Sequence, residues 1–70
     1  MMKGLRIARM SKGLKQYEAA DALGVKPSAY SHYENGIREP TMKTLIKMSE
    51  FFNVSIHYLI TGEEFHSRES

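Results

Sequence analysis

Turn-forming residues divide this chain into segments that are too short for any long element. The turn signals are Lys12-Gly13, Gly24, Asn35-Gly36, Pro40 and Gly62. Between them the apolar residues recur at helical spacing, and no segment sustains the period of two that a half-buried strand shows. The sequence therefore predicts an all-α fold, a compact globule of five short helices.

The residues at the segment ends define the predicted helices. Gly24 suits the left-handed conformation that ends a helix, Pro27 suits a first helical turn, and Thr41 suits an N-cap. We place four helices at about residues 2–12, 16–23, 27–35 and 55–62, and a further one that begins after Pro40 with Thr41 as its N-cap. Their spacing assigns core-facing positions to Leu5, Ala8, Leu45, Met48, Phe52, Ile56, Leu59 and Ile60.

Chain length and composition narrow the class of protein. Seventy residues form one domain, which we place at residues 1–62, followed by a polar tail at 63–70 that we expect to be disordered. The absence of cysteine excludes disulfides and thiolate metal sites. No apolar run approaches the roughly 20 residues of a membrane span, and the start lacks a secretory signal. We expect no membrane association and a cytoplasmic location, in a bacterial or phage-infected cell.

Charge is distributed unevenly along the chain. Residues 1–47 carry nine Lys and Arg against four Asp and Glu, a balance of +5, whereas residues 48–70 carry one Arg against four Glu, a balance of −3. Either this is ordinary scatter of solvated charges or the basic part has a polyanionic partner, for which nucleic acid is the obvious candidate.

The segment from Gln16 to Asn35 has the pattern of a helix-turn-helix. Two short helices meet at Gly24, and Ala20 is small enough for them to cross closely. The positions predicted to face inward are Ala19, Leu23, Val25, Tyr30 and Tyr33. The positions predicted to face outward on the second of these helices are Pro27, Ser28, Ser31, His32 and Asn35. This outward stripe is polar and free of acid, so it suits a major groove flanked by phosphates.

These residues together resemble the lambda-repressor-like family of helix-turn-helix proteins, which includes phage repressors, Cro proteins and XRE-type regulators. The resemblance covers about residues 5–61. It is carried by the joint spacing of Leu5, Arg9, Gly13-Leu14, Gln16, Ala20, Leu23-Gly24-Val25, Tyr33-Glu34-Asn35-Gly36, Arg38, Pro40, Leu45 and Val54-Ser55.

The resemblance implies a function and a role for particular residues. It implies a transcriptional regulator, a repressor or a Cro-like protein, that binds double-stranded DNA as a homodimer on a pseudo-palindromic operator. A structural salt bridge is implied between Arg9 and Glu34. Base reading is implied for Pro27, Ser28, Ser31 and His32. Phosphate contacts are expected from Lys15, Gln16, Lys26, Asn35, Arg38 and Lys43.

Three positions depart from the family pattern. Lys15 stands where Ser or Thr usually caps the second helix, so capping worth about 0.5–2 kcal/mol is expected to be missing; Lys15 either binds a phosphate or is simply solvated. Ala19 and Tyr30 replace larger and smaller aliphatic residues, which we interpret as a volume-conserving exchange. Pro27 has no donor, so its base contact is limited to an apolar one, such as a thymine methyl.

An alternative interpretation of the same fold is a protein-interaction module, an antirepressor or antitoxin that binds a repressor or a toxin. Ile56, Tyr58 and Ile60 on the last helix, together with the acidic end of the chain, would carry that contact. The candidates for a dimer contact are Phe51, Ile56, Tyr58 and Ile60. An enzyme is not indicated, because no nucleophile–base set, acid dyad or phosphate loop stands out. We expect no cofactor and no metal.

Overall fold

In the computed structural model, α-helices form in the predicted order, and those after the first end at a residue in the left-handed conformation. The structure describes residues 1–64, which contain five helices and no strand. The helices are α1 (Lys3–Ser11), α2 (Gln16–Leu23), α3 (Pro27–Asn35), α4 (Met42–Phe52) and α5 (Ile56–Thr61). The all-α prediction is confirmed, with α2 and α3 at the predicted bounds. Of the predicted tail, only Glu63 and Glu64 lie within the described residues.

Side-chain caps begin the last two helices, as their sequences suggest. The hydroxyl oxygen of Thr41 accepts a hydrogen bond from the Thr44 amide at 3.2 Å, and that of Ser55 accepts one from the Tyr58 amide at 3.0 Å. At its other end α4 stops at Asn53, which adopts a left-handed φ of 56°. Asparagine tolerates that conformation better than most residues, so it replaces the glycine that ends α2, α3 and α5.

The start of α2 is capped in a way that the sequence analysis missed. The Lys15 side chain makes no cap, as predicted. However, the Glu18 carboxylate accepts a hydrogen bond from the Lys15 backbone N–H at 2.7 Å. This is the reverse half of a capping box, and it places a negative charge in the first turn, where the helix dipole favours it. The expected loss of capping at Lys15 is therefore partly offset.

The core is formed by all five helices, with α1 against α5, α2 against α3, and α4 in contact with both groups. Its buried apolar side chains are Met2, Leu5, Ala8, Ala19, Ala20, Leu23, Tyr30, Tyr33, Met48, Phe52 and Leu59. Ala19 and Tyr30 are both completely buried, as the proposed exchange of volumes requires. The assignment of Ile60 to the core-facing side is wrong, because its residue surface is 48% exposed while neighbouring Leu59 fills the core.

The contact between α1 and α5 depends on the absence of a side chain at Gly4. A Cβ built on Gly4 would lie 1.6 Å from the Tyr58 carbonyl oxygen, which is far inside van der Waals contact. The two backbones therefore approach more closely than any other residue at this position would allow. No helix in the described part of the chain is long and apolar enough to cross a bilayer.

Candidate nucleic-acid interface

The turn between α2 and α3 has the geometry that a helix-turn-helix needs. Gly24 adopts a φ of 72°, and its amide donates to the Asp21 carbonyl at 3.1 Å. The Val25 amide reaches back to the Ala20 carbonyl at 3.0 Å. Ala20 is completely buried, so its small side chain permits the close crossing. This turn directs α3 away from α2 and fixes which side of α3 faces outward.

The outward side of α3 is accessible to a partner. Pro27 and Ser28 are exposed, and Ser31 and His32 are half-buried. The opposite side is filled by Tyr30 and by Tyr33 and Glu34, which are buried. The accessible side therefore carries small polar groups and one imidazole, and the only acid of α3 points into the protein.

Five of the six predicted phosphate-binding residues are exposed and lie at or near the ends of the helices. Lys15 and Lys26 occupy the N-cap positions of α2 and α3. Asn35 ends α3, and Arg38 and Lys43 follow it in the chain. All five are exposed. None of the four cations among them pairs with an acidic side chain in residues 1–64, so their charge is not neutralised locally.

A buried carboxylate connects three helices behind this surface. Glu34 is 0% exposed. Arg9 donates from Nε to Glu34 Oε2 at 2.7 Å and from Nη2 to Oε1 at 3.3 Å. The Arg9 Nη1 group also donates to the Leu14 carbonyl at 2.8 Å, which ties down the loop before α2. The ion pair implied by the family resemblance is thus present as a two-pronged contact, and it links α1 to α3.

Two further residues join this carboxylate, and the sequence analysis foresaw neither contact. Gln16 donates from Nε2 to Glu34 Oε1 at 3.1 Å, so part of its amide is already engaged inside the protein. Arg6 places Nε at 3.6 Å from the same oxygen, and its side chain is 47% exposed. The signal for Arg6 was its spacing, because residues three apart on a helix lie on one face, and Arg9 is three residues further on.

Burial and charge shift the protonation of this cluster in opposing directions. Burial on its own raises the pKa of Glu34, but the hydrogen bonds from Arg9 and Gln16 outweigh it, so the pKa is lowered. The hydrogen bond to Glu34 raises the pKa of Arg9. Burial raises the pKa of Tyr30 far above its ordinary range, and its hydroxyl lies near Glu34 without a hydrogen bond of normal geometry. The cluster therefore holds Glu34 as an anion.

The residues predicted for a dimer or partner contact are only partly available. Phe51 is half-buried, packs edge-on against Phe52 with ring centroids 4.9 Å apart, and lies 5.3 Å below the Lys12 ammonium. Ile56 and Tyr58 are also half-buried, so Ile60 presents the most apolar surface of α5. The sequence analysis missed further exposed apolar side chains, among them Ile37, Met42 and Ile46.

Sequence comparison identifies proteins related to this chain. A family model described as helix-turn-helix matches residues 5–59. The chain is 46% identical over 61 residues to YqaE, an uncharacterised HTH-type transcriptional regulator of Bacillus subtilis (strain 168). The aligned segment covers 87% of this chain and 53% of the relative. The chain is 40% identical over 62 residues to the HTH-type transcriptional regulator ImmR of the same organism, covering 89% and 49%.

A more distant relative is a phage protein. The chain is 33% identical over 60 residues to the cryptic phage CTXphi transcriptional repressor RstR of Vibrio cholerae, covering 86% of this chain and 54% of the relative. The chain thus spans about half the length of the curated relatives it matches. No solved structure gave a significant match.

Proposed function

The chain belongs to the lambda-repressor-like, XRE-type helix-turn-helix family, and we propose on that basis that it is a sequence-specific DNA-binding transcriptional regulator. Proteins of this family bind DNA and are not enzymes. The observation that carries the proposal is the accessible, acid-free side of α3, together with the exposed cations that precede and follow α3 in the chain. Such a helix fits a major groove, which is wide enough to admit it and presents a distinct pattern of donors and acceptors for each base pair.

Base reading is the role we assign to α3. Ser28, which is exposed, and His32, whose larger half-buried side chain reaches farther, are the main hydrogen-bonding candidates on the accessible side, and half-buried Ser31 with its short side chain is a lesser one. Pro27 is exposed at the start of α3, where its ring fits an apolar contact with a thymine methyl. Sequence preference would then arise from only a few side chains, which is typical of a recognition helix.

We expect phosphate contacts to supply most of the affinity for DNA. Lys15, Lys26, Arg38 and Lys43 are exposed cations, and Asn35 is an exposed amide at the end of α3. Gln16 uses one amide hydrogen on Glu34 and keeps the other for a phosphate oxygen. Each phosphate neutralised by a cation is expected to contribute about −0.9 to the slope of log Kobs against log[salt].

A dimer on a pseudo-palindromic operator is the mode of binding we favour. Two recognition helices would then enter successive major grooves on one side of the duplex, with half-site centres about 34–36 Å apart. Ile60 is exposed on α5, next to half-buried Tyr58 and near Ile56, and these residues are the proposed dimer contact. Occupation of such an operator would repress transcription from an overlapping promoter, the role that its name gives to RstR.

The test is selection of bound duplexes from a random DNA pool at two salt concentrations. The proposal predicts one enriched motif with two related halves, and affinity that falls steeply with salt. A pool that remains random after repeated selection would refute sequence-specific regulation. Enrichment of a single half-site would agree with base recognition by α3 but would refute binding as a dimer.

A second candidate function is binding of a partner protein, such as a repressor or a toxin, through α5. The exposed Ile60 favours it, because an isoleucine that is 48% exposed on a short helix leaves apolar surface uncovered. Ser28→Ala and Ile60→Ser separate the two functions. The DNA-binding proposal predicts that Ser28→Ala changes the base preference of the protein. Partner binding alone predicts that Ile60→Ser weakens binding of the partner protein and that Ser28→Ala changes nothing.

A further inference from the structure

Arg6 is a half-exposed cation beside the Glu34 cluster, outside the residues proposed so far to contact DNA. It lies in α1, and its Nε is 3.6 Å from Glu34 Oε1. This distance is too long for a hydrogen bond, so the contact is electrostatic attraction only. The side chain is 47% exposed, so its guanidinium can be reached from outside. Arg6 is thus held in place by Glu34 while its N–H donors remain available.

The charge of the cluster is not balanced. Glu34 already receives the Arg9 guanidinium at 2.7 and 3.3 Å and the Gln16 amide at 3.1 Å. Arg9 alone neutralises that carboxylate, so the two arginines and one glutamate together carry a net charge of +1. Arg6 pairs with no other acidic side chain among residues 1–64. The surplus charge therefore resides on Arg6, on the accessible side of the cluster, where an anion can reach it.

The position of Arg6 relative to Gln16 follows from the oxygen that they share. Arg6 Nε and Gln16 Nε2 lie 3.6 and 3.1 Å from Glu34 Oε1, so they are no farther from each other than the sum of those distances. A single phosphate group can bridge two donors at such a separation. Glu34 belongs to α3, so the same residue places both donors in register with the recognition helix.

We propose that Arg6 binds a phosphate of the DNA backbone together with Gln16, and that Glu34 aligns the two side chains for it. This inference rests on the proposed function, because it needs a duplex lying across α3. It adds a residue of α1 to a surface otherwise formed by α2, α3 and the segment that follows. Because arginine presents its donors as a planar fork, it suits the oxygens of a phosphate group.

The test compares Arg6→Gln with Lys3→Gln on the selected duplex over a range of salt concentrations. Lys3 is a matched control, because it is an exposed cation one turn earlier in α1, lies along Gly62, and does not contact Glu34. We expect Arg6→Gln to weaken binding to this duplex and to reduce the magnitude of the salt slope by about 0.9, the loss of one phosphate contact. Lys3→Gln is expected to keep the wild-type slope.

A measurement on the wild-type protein removes any dependence on the folding of the variant. The Arg6 and Arg9 Nε–H resonances are followed by NMR as duplex is added. We expect the Arg6 resonance to shift while the Arg9 resonance, already bonded to Glu34, remains in place. An unchanged Arg6 resonance, or equal slopes for Arg6→Gln and Lys3→Gln, would overturn the assignment while specific DNA binding stands. Absence of any specific binding by the wild type would refute the proposed function, and the assignment with it.

Discussion

Glu34 is the residue with the largest expected effect on both stability and the interface. A carboxylate with no solvent exposure persists as an anion only if donors replace its lost water. Arg9 and Gln16 provide them, from α1 and α2 respectively. One buried charge thereby fixes three helices relative to one another, and burial of Glu34 leaves the accessible side of α3 without an acid.

Breaking this ion pair is expected to be costly. Glu34→Gln leaves the Arg9 guanidinium, which is only 14% exposed, without its counter-charge. Removal of one partner of a buried pair typically costs about 3–5 kcal/mol, so urea denaturation should show a loss of that order in the free energy of unfolding. Arg6→Gln serves as the comparison, because a half-exposed ion pair contributes at most about 1 kcal/mol. Equal losses for the two variants would contradict the central role of the buried pair.

The lowered pKa of Glu34 predicts a loss of stability in acid. The unfolded chain takes up a proton at Glu34 near the ordinary pKa of 4.5, whereas the folded protein holds the carboxylate ionised at lower pH. The unfolded state therefore binds more protons below about pH 4.5, and the free energy of unfolding falls there until the folded pKa is passed. Above that range the contribution is complete.

Denaturation curves recorded between about pH 3 and pH 7 test this expectation. Glu50→Gln is the control, because Glu50 is exposed and forms no ion pair within the described residues. This variant should retain the wild-type acid dependence, and Glu34→Gln should show a flatter one. A wild-type free energy of unfolding that is constant down to pH 3 would be inconsistent with the burial of an ionised Glu34.

At the scale of elements, the sequence predicted the helices better than their contacts. Proline, threonine and glycine mark helix ends by local conformational preference, so α2, α3 and the start of α4 were predictable. Asn53 was missed because asparagine adopts positive φ less often than glycine. Glu18 was missed although its place three residues after the N-cap is a local signal for half of a capping box. Arg6 was missed because its spacing from Arg9 puts both on one side of α1 but does not show that Glu34 of α3 packs there.

The close approach of α1 and α5 at Gly4 predicts that alanine there lowers the free energy of unfolding, whereas helix propensity alone predicts that alanine raises it. Alanine favours a helix by about 1 kcal/mol over glycine. At Gly4, however, the added Cβ would collide with the Tyr58 carbonyl. We expect Gly4→Ala to separate α1 from α5 and to lower the free energy of unfolding by about 1–3 kcal/mol. Ser11→Ala, an exposed position of α1, should be neutral or stabilising; a stabilised Gly4→Ala protein would contradict the close packing.

At the scale of the whole molecule, we expect different residues to provide the affinity for DNA and the preference for particular bases. We expect the balance of +5 in residues 1–47 to attract DNA regardless of its sequence. Under the proposed function, the accessible side of α3 would distinguish one DNA sequence from another. We therefore expect Ser28→Ala or His32→Ala to change affinity at particular base pairs by about 1–3 kcal/mol each. Arg38→Ala or Lys43→Ala should weaken all duplexes alike and reduce the salt slope. A competition assay with single-base variants of the selected motif distinguishes these patterns, and a uniform loss with Ser28→Ala would contradict the division.

The most direct measurement is to follow every backbone amide by NMR as the selected duplex is added to the full chain. Our account predicts the largest shifts in the first turns of α3 and at Asn35, because these residues would lie in or beside the major groove. Smaller shifts should mark the start of α2. Shifts concentrated in α5, with the amides of Ser28 and His32 unchanged, would contradict the claim that α3 reads DNA.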